Sequence, residues 1–164
     1  MYRLAGIQRK ILQGKDLERW LAIARFQNRK IVFTNGCFDI LHKGHIEYLS
    51  AAADLGDLLM IGLNTDDSVK RLKGPSRPYL DGDTRALILA SLGFVAVVVF
   101  FDEDTPYELI RTVGPDILVK GGDYRVEEIV GYDLVAKKGG KVITIPITPG
   151  YSSTRVITQL TGNK

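Results

Sequence analysis

Apolar residues along this chain fall into two textures. Short, nearly unbroken runs occur at Ile31-Val32-Phe33, from Leu58 to Leu63, from Val95 to Phe101, at Ile117-Leu118-Val119 and from Val142 to Ile145. Longer amphipathic stretches separate them. An unbroken β-branched run suits a strand covered on both faces. Strands alternating with helices give βαβ units with right-handed crossovers. The pattern predicts an α/β fold, a small doubly wound, Rossmann-like, five-stranded parallel sheet. Ahead of it, Ile7, Ile11, Leu12, Leu17, Leu21 and Ile23 recur at mixed helical spacing with Arg and Lys in the gaps. This predicts an N-terminal helical extension over residues 1–29, split at Gly14, with the main domain at 30–164. The sequence has no internal repeat, low-complexity tract or long linker.

That architecture limits where function can sit. In an open parallel sheet, ligands bind beyond the carboxyl ends of the strands, near the switch in strand order. The segments that follow the five runs are Thr34 to Asp39, Asn64 to Asp67, Phe101 to Glu103, Lys120 to Tyr124 and Pro146 to Thr154. Glycines, hydroxyls and carboxylates are frequent in them, as a phosphate-bearing ligand requires.

Composition narrows the classes. With 164 residues, 45% of them hydrophobic, the chain can bury a core without staples. Cys37 is the single cysteine, which excludes an internal disulfide framework and a four-cysteine zinc site. No apolar run approaches the roughly 20 residues that span a bilayer, and Met1-Tyr2-Arg3-Leu4 lacks the build of a signal peptide. The expectation is a cytoplasmic protein with no membrane partner. Lys plus Arg is 22 against 19 for Asp plus Glu, a net charge of +3. That excess is too small to argue for nucleic acid.

The two histidines of the chain stand three apart, as His42-Lys43-Gly44-His45, after the first run and before a helical pattern through Ile46, Tyr48, Leu49, Ala52 and Ala53. Positions i and i+3 share a helix face, so both imidazoles can address one point near the free N–H groups of a helix start, which attract anions. Gly44 removes a side chain between them. The bland alternative, two surface histidines, does not use the strand, glycine turn and helix around the motif. A zinc site is disfavoured by the spacing, and no metal ligands are assigned. Gly36 is expected to let the chain bend after the strand. Cys37 reads as a small hydrophobe rather than a nucleophile.

Three further segments have functional and bland readings. Ser152, Ser153 and Thr154 precede a final helical pattern; capping needs one hydroxyl, and three make a cradle for outer phosphates. Lys120-Gly121-Gly122-Asp123-Tyr124 is either an ordinary turn or a close approach to a base and ribose, with Asp123 on the sugar. The basic loop Lys70 to Pro78 is either solvated surface or a cover in which Lys73 and Arg77 close over a phosphorylated substrate. Arg85 stands in the first turn of a helix starting near Asp83, where a cation is mildly unfavourable, so an anionic partner is expected for it.

Together, Gly36 to Asp39, the His42–His45 pair, Lys120 to Tyr124 and Ser152 to Thr154 resemble the cytidylyltransferase-like nucleotidylyltransferase superfamily, with its HxGH and hydroxyl-rich signatures. Over roughly residues 30–160, the stretches Phe33 to His45, Lys70 to Pro78 and Asp116 to Tyr124 look like the adenylyltransferase domain of bacterial ADP-heptose synthesis enzymes, and the expectation is that this would be its stand-alone form. The resemblance implies transfer of AMP from ATP to D-glycero-β-D-manno-heptose 1-phosphate, giving ADP-heptose and pyrophosphate for the lipopolysaccharide inner core. It implies His42, His45 and Lys73 as catalytic residues. Nucleotide contacts would come from Gly36, Phe38, Lys120, Gly121, Asp123, Ser152, Ser153 and Thr154 as well as both histidines. Asp66, Lys73, Arg77 and Arg85 would line the substrate side. Magnesium would arrive with ATP, the partners would be ATP and a sugar 1-phosphate, and the enzyme would be a homo-oligomer, dimer or larger. Other classes stay open: a glycerol-3-phosphate-type cytidylyltransferase, an adenylyltransferase of coenzyme synthesis, or a nucleotide-binding module without turnover. No base-reading side chain separates ATP from CTP.

Overall fold

All five apolar runs are strands of one parallel sheet in a computed structural model of the chain, which describes residues 3–147. The elements are α1 (Arg3–Gln8), β1 (Ile11–Leu12), α2 (Gly14–Phe26), β2 (Ile31–Gly36), α3 (Lys43–Ala53), β3 (Leu58–Asn64), α4 (Asp66–Lys73), α5 (Gly82–Ser91), β4 (Val95–Phe101), α6 (Tyr107–Val113), β5 (Ile117–Gly121), a 3-10 turn (Val126–Glu128), α7 (Tyr132–Lys137) and β6 (Lys141–Ile145). Among the described residues the sheet has six strands in the order β1-β4-β3-β2-β5-β6, all parallel.

The sixth strand corrects the five-stranded expectation and the all-helical reading of the first 29 residues. Ile11 and Leu12 pair with Val98 and Val99 of β4, and so form an edge of the sheet. A two-residue strand cannot display a period of two. Ile11 and Leu12 also fit the helical spacing set by Ile7, and the sequence alone reads them so. Gly14, at φ +48, turns the chain from this strand into α2.

Burial explains why the runs are unbroken. Successive strand residues point to opposite faces, and both faces are covered. Phe33, Met60, Val97, Val99 and Leu118 pack with Leu17, Leu21 and Ala24 of α2 and Ile110 and Val113 of α6. Val32, Leu59, Ile61, Leu63, Val98 and Val119 pack against Leu49 and Ala52 of α3 and Ala86, Leu89 and Ala90 of α5.

From β2 the chain runs outward to β3 and β4, then returns to β5 on the other side of β2. The reversal places a crevice at the carboxyl ends of β2 and β5, where the histidine segment and Lys120-Gly121 emerge. Helix starts nearby are capped from the sequence as written. Thr65 Oγ1 accepts from the Ser68 N–H (3.2 Å) ahead of α4, and Asp81 accepts from the Thr84 N–H (2.8 Å) ahead of α5.

Candidate active site

The turn after β2 bends at an unexpected residue. Gly36 lies within the strand, and Phe38 takes the left-handed conformation, with φ 43. A bulky residue there costs about 1–3 kcal/mol, and its surroundings hold it. The Phe38 side chain is buried and meets the His45 ring edge-on, centroids 5.5 Å apart. Gly36 makes this possible by its lack of a side chain, because a Cβ there would lie 3.0 Å from the Phe38 ring.

His42 is the N-cap of α3 and His45 sits in its first turn. The rings stack at 3.8 Å and 22°, and His45 Nδ1 accepts the His42 backbone N–H at 3.4 Å. Neutral His45 therefore carries its proton on Nε2, a donor. Burial, then His42 and Lys73, push the His45 pKa down to about 4, and burial lowers that of His42. Both imidazoles are uncharged at neutral pH.

One turn further along α3, Tyr48 braces the site. Its Oη lies 2.6 Å from Thr34 Oγ1 and donates to the Val119 carbonyl at 3.3 Å, bridging β2 and β5. Burial pushes this phenol up to about 12. Its ring is 3.3 Å from where a Cβ on Gly121 would stand, so the glycine keeps the wall flat and the backbone open. In the sequence Tyr48 shows only as one position of the helical pattern after the histidines, and its bridging role is not visible there. Its place at i+3 from His45 was the available signal.

A cavity of about 370 Å³ opens between these elements. Gly36, Phe38, His42, His45, Lys73, Lys120 and Gly121 all line it, so these seven expected residues come together. Lys73 reaches it from the end of α4 and Lys120 from the end of β5; burial lowers the Lys120 pKa. Cys37 shares the wall, its Sγ 3.9 Å from Asn64 Oδ1. Ile147, the last described residue, is also in the wall.

Other expected residues stand apart. Arg85 does not line this cavity. It is 1% exposed; Nη1 donates to the Cys37 carbonyl (2.6 Å), Nε to that of Leu80 (3.1 Å), and Nη2 to that of Asn64 (2.9 Å) and to Asp66 Oδ1 (2.6 Å). Its anionic partner is thus Asp66, a carboxylate of the same chain. Asp66 lines a different cavity with Asp67, Asp81 and Asp83. Arg77 donates from Nε to Asp39 at 2.6 Å, and its guanidinium lies 5.2 Å from the Tyr79 ring centroid. Arg77 Nη2 is buried without a hydrogen-bond partner among the described residues. Asp39, buried, also accepts from the Tyr79 and Leu80 N–H groups at 2.8 and 3.0 Å, and ties the basic loop to the turn after β2. Asp123 is exposed and outside the cavity wall. Ser152, Ser153 and Thr154 lie outside the described residues.

Comparison with known proteins agrees with this geometry. Residues 33–159 match the family model described as cytidylyltransferase-like. The chain is 53% identical over 151 residues to the bifunctional protein HldE of Syntrophotalea carbinolica, covering 92% of this chain and 31% of that one. It is 48% identical over 161 residues to HldE of Rhodopseudomonas palustris, covering 98% and 33%. The chain thus spans about a third of the length of these curated relatives. A lipopolysaccharide core biosynthesis protein from Thermoplasma volcanium has 31% identity and a TM-score of 0.59, over 73% of this chain and 97% of that one. A pantoate–β-alanine ligase from Francisella tularensis, at 17% identity and TM-score 0.55 over 91% of this chain and 76% of that one, shares the fold alone. With the paired histidines at a helix start beside the sheet's switch point, and a family match over most of its length, the chain belongs to the cytidylyltransferase-like family.

Proposed function

We propose that this chain transfers AMP from ATP to D-glycero-β-D-manno-heptose 1-phosphate, releasing pyrophosphate and forming ADP-heptose for the lipopolysaccharide inner core. The observation that carries the reading is the convergence of His42, His45, Lys73 and Lys120 on one cavity at the start of α3. Identity near 50% to HldE proteins supports the choice of sugar. The relative from Thermoplasma volcanium, with lipopolysaccharide core biosynthesis in its name, supports the product's destination.

The attacking group in this reaction is a sugar phosphate, already an anion at neutral pH. It needs neither a general base nor a covalent enzyme intermediate. The barrier is bringing one polyanion in line with another, so positioning and electrostatic stabilisation do the work. Lys73 and Lys120 supply positive charge. The neutral imidazoles supply N–H donors at the α-phosphoryl group without repelling each other. Ser152, Ser153 and Thr154 follow Ile147 closely in sequence and would hold the outer phosphates. The unpartnered Arg77 Nη2 suits the sugar phosphate.

Magnesium fits this site as an ion carried by nucleotide phosphates. Asp39, the carboxylate in the cavity wall, already accepts from Arg77, Tyr79 and Leu80. No group of three or more His, Cys, Asp or Glu among the described residues could hold a metal. The ion would neutralise charge on the triphosphate. The same reading makes the enzyme a cytoplasmic homo-oligomer; no described helix is long and apolar enough to cross a membrane. A pyrophosphate-release assay with ATP and CTP against a panel of sugar 1-phosphates and glycerol 3-phosphate tests it. Turnover is expected with ATP and the heptose phosphate. Release with CTP and glycerol 3-phosphate instead, or none with any pair, overturns it.

A further inference from the structure

The edge of the sheet opposite the histidines carries a larger cavity, of about 710 Å³. Ile31, Ile117 and Lys141, the first residues of β2, β5 and β6, stand in its wall. It is about 16 Å from the histidine site by the length of a five-residue strand. Five cations line it, Arg25, Arg29, Lys30, Lys138 and Lys141, with a single carboxylate, Asp116. The whole chain carries a net charge of only +3, so positive charge is concentrated here.

The nearby acids are already committed. Asp116 Oδ2 accepts the Ile31 N–H at 2.8 Å. Asp57 accepts the Lys30 N–H at 2.7 Å and lies 3.8 Å from Arg29. Opposition to helix dipoles accounts for Arg25, which donates to the Val113 carbonyl at the end of α6 (2.7 Å), and for Lys138 at the end of α7. It does not account for Lys30 and Lys141, which stand where strands begin. No ion pair engages Lys30, Lys138 or Lys141 among the described residues. The Lys138 ammonium occupies the space that a Cβ on Gly114 would need, so this glycine, at φ +50, lets the cation lie against the backbone.

An apolar slot of about 310 Å³ adjoins this basin and shares Gly114, Pro115 and Lys138 with it. Ile110, Leu134 and Val135 form its apolar walls, between α6 and α7. Both spaces have the size of small-molecule sites, which are concave and combine apolar walls with a few converging polar groups.

We propose that the basin and slot form a second ligand site, for a phosphorylated small molecule that carries a flat or apolar group. The phosphates contact Lys30, Lys138 and Lys141, and the apolar group enters the slot. The site is independent of the transferase reading, because no residue is common to the two cavities.

The test is amide NMR of the full isotope-labelled chain titrated with ADP, and separately with inorganic pyrophosphate. ADP is expected to shift the amides of Gly114, Gly139 and Gly140. Lys138→Glu/Lys141→Glu should weaken those shifts at least about tenfold in affinity, since two attractive charges become repulsive. Shifts at Gly36 and Gly121, and basal turnover, should stay as in the wild type. Both lysines are exposed, and a thermal melt checks that the variant folds. Shifts confined to the Gly36 and Gly121 region overturn the proposal, as do basin shifts that the double variant leaves unchanged. Pyrophosphate binding the basin as tightly as ADP overturns the apolar half. The basin readout does not depend on turnover, so loss of the transferase reading leaves it intact.

Discussion

Replacing Arg85 with Met tests the assignment of this buried guanidinium to structure rather than to substrate. The side chain ties four segments together through the Cys37, Asn64 and Leu80 carbonyls and the Asp66 carboxylate. Met fills similar volume but donates nothing. Three acceptors are orphaned, each costing about 1–3 kcal/mol if it stays dry. Breaking a buried ion pair by removing one partner typically costs about 3–5 kcal/mol. The terms overlap, and Asp66, 37% exposed, recovers water, so the expected loss is about 3–5 kcal/mol. That is a large part of the roughly 5–15 kcal/mol that stabilises a domain. At about 2–4 °C per kcal/mol for a chain of this size, the melting temperature should fall by about 10 °C. Urea denaturation and thermal melts measure the loss. Arg85→Lys should recover only part of it, because an ammonium cannot reproduce the fork. A cycle with Asp66→Asn isolates the pair, with a coupling of about 0.5–3 kcal/mol. If Arg85→Met instead melts within about 1 kcal/mol of the wild type while KM for the sugar phosphate climbs, the guanidinium reaches substrate and the structural assignment is wrong.

Four more outcomes can be checked. His45→Ala should lower kcat by about 10²–10³, as loss of a transition-state donor does, with the circular dichroism spectrum unchanged; near-normal turnover would remove the histidine from the mechanism. His45 has a pKa of about 4 against an ordinary 6.5, so between those values the unfolded chain binds more protons. Its contribution to stability is therefore full above pH 6.5 and lost as pH falls through 4; urea titrations at several pH values should show this slope in the wild type and a smaller one in His45→Gln. Gly36→Ala places a methyl 3.0 Å from the Phe38 ring, and should reduce turnover about tenfold or more through a displaced His45, since small misplacements of a reacting group are costly; an unaltered kcat would show that Phe38 does not position the imidazole. Asp39→Asn keeps the shape of the loop anchor but removes the charge facing Arg77, so protease cleavage within residues 74–80 should accelerate and the KM for the sugar phosphate should rise; unchanged proteolysis would contradict the anchoring role.

The division between what was legible in the sequence and what was not follows from the range of the forces involved. Apolar runs, the alternation of strands with helices, and the placing of the His42–His45 pair and of Lys120 and Gly121 at the carboxyl edge depend on local periodicity and a general rule of parallel sheets. The sequence determined those by itself. Tertiary structure decided where propensity is silent or degenerate. Ile11 and Leu12 join the sheet because β4 offers an open edge, which no two-residue pattern can announce. Phe38 rather than Gly36 takes the left-handed turn because its ring finds burial against His45. Arg85 is absent from the wall of the histidine cavity and pairs instead with Asp66, an anion distant from it in sequence. Charge partners and ring contacts are made across the fold, and only the assembled chain fixes which groups meet.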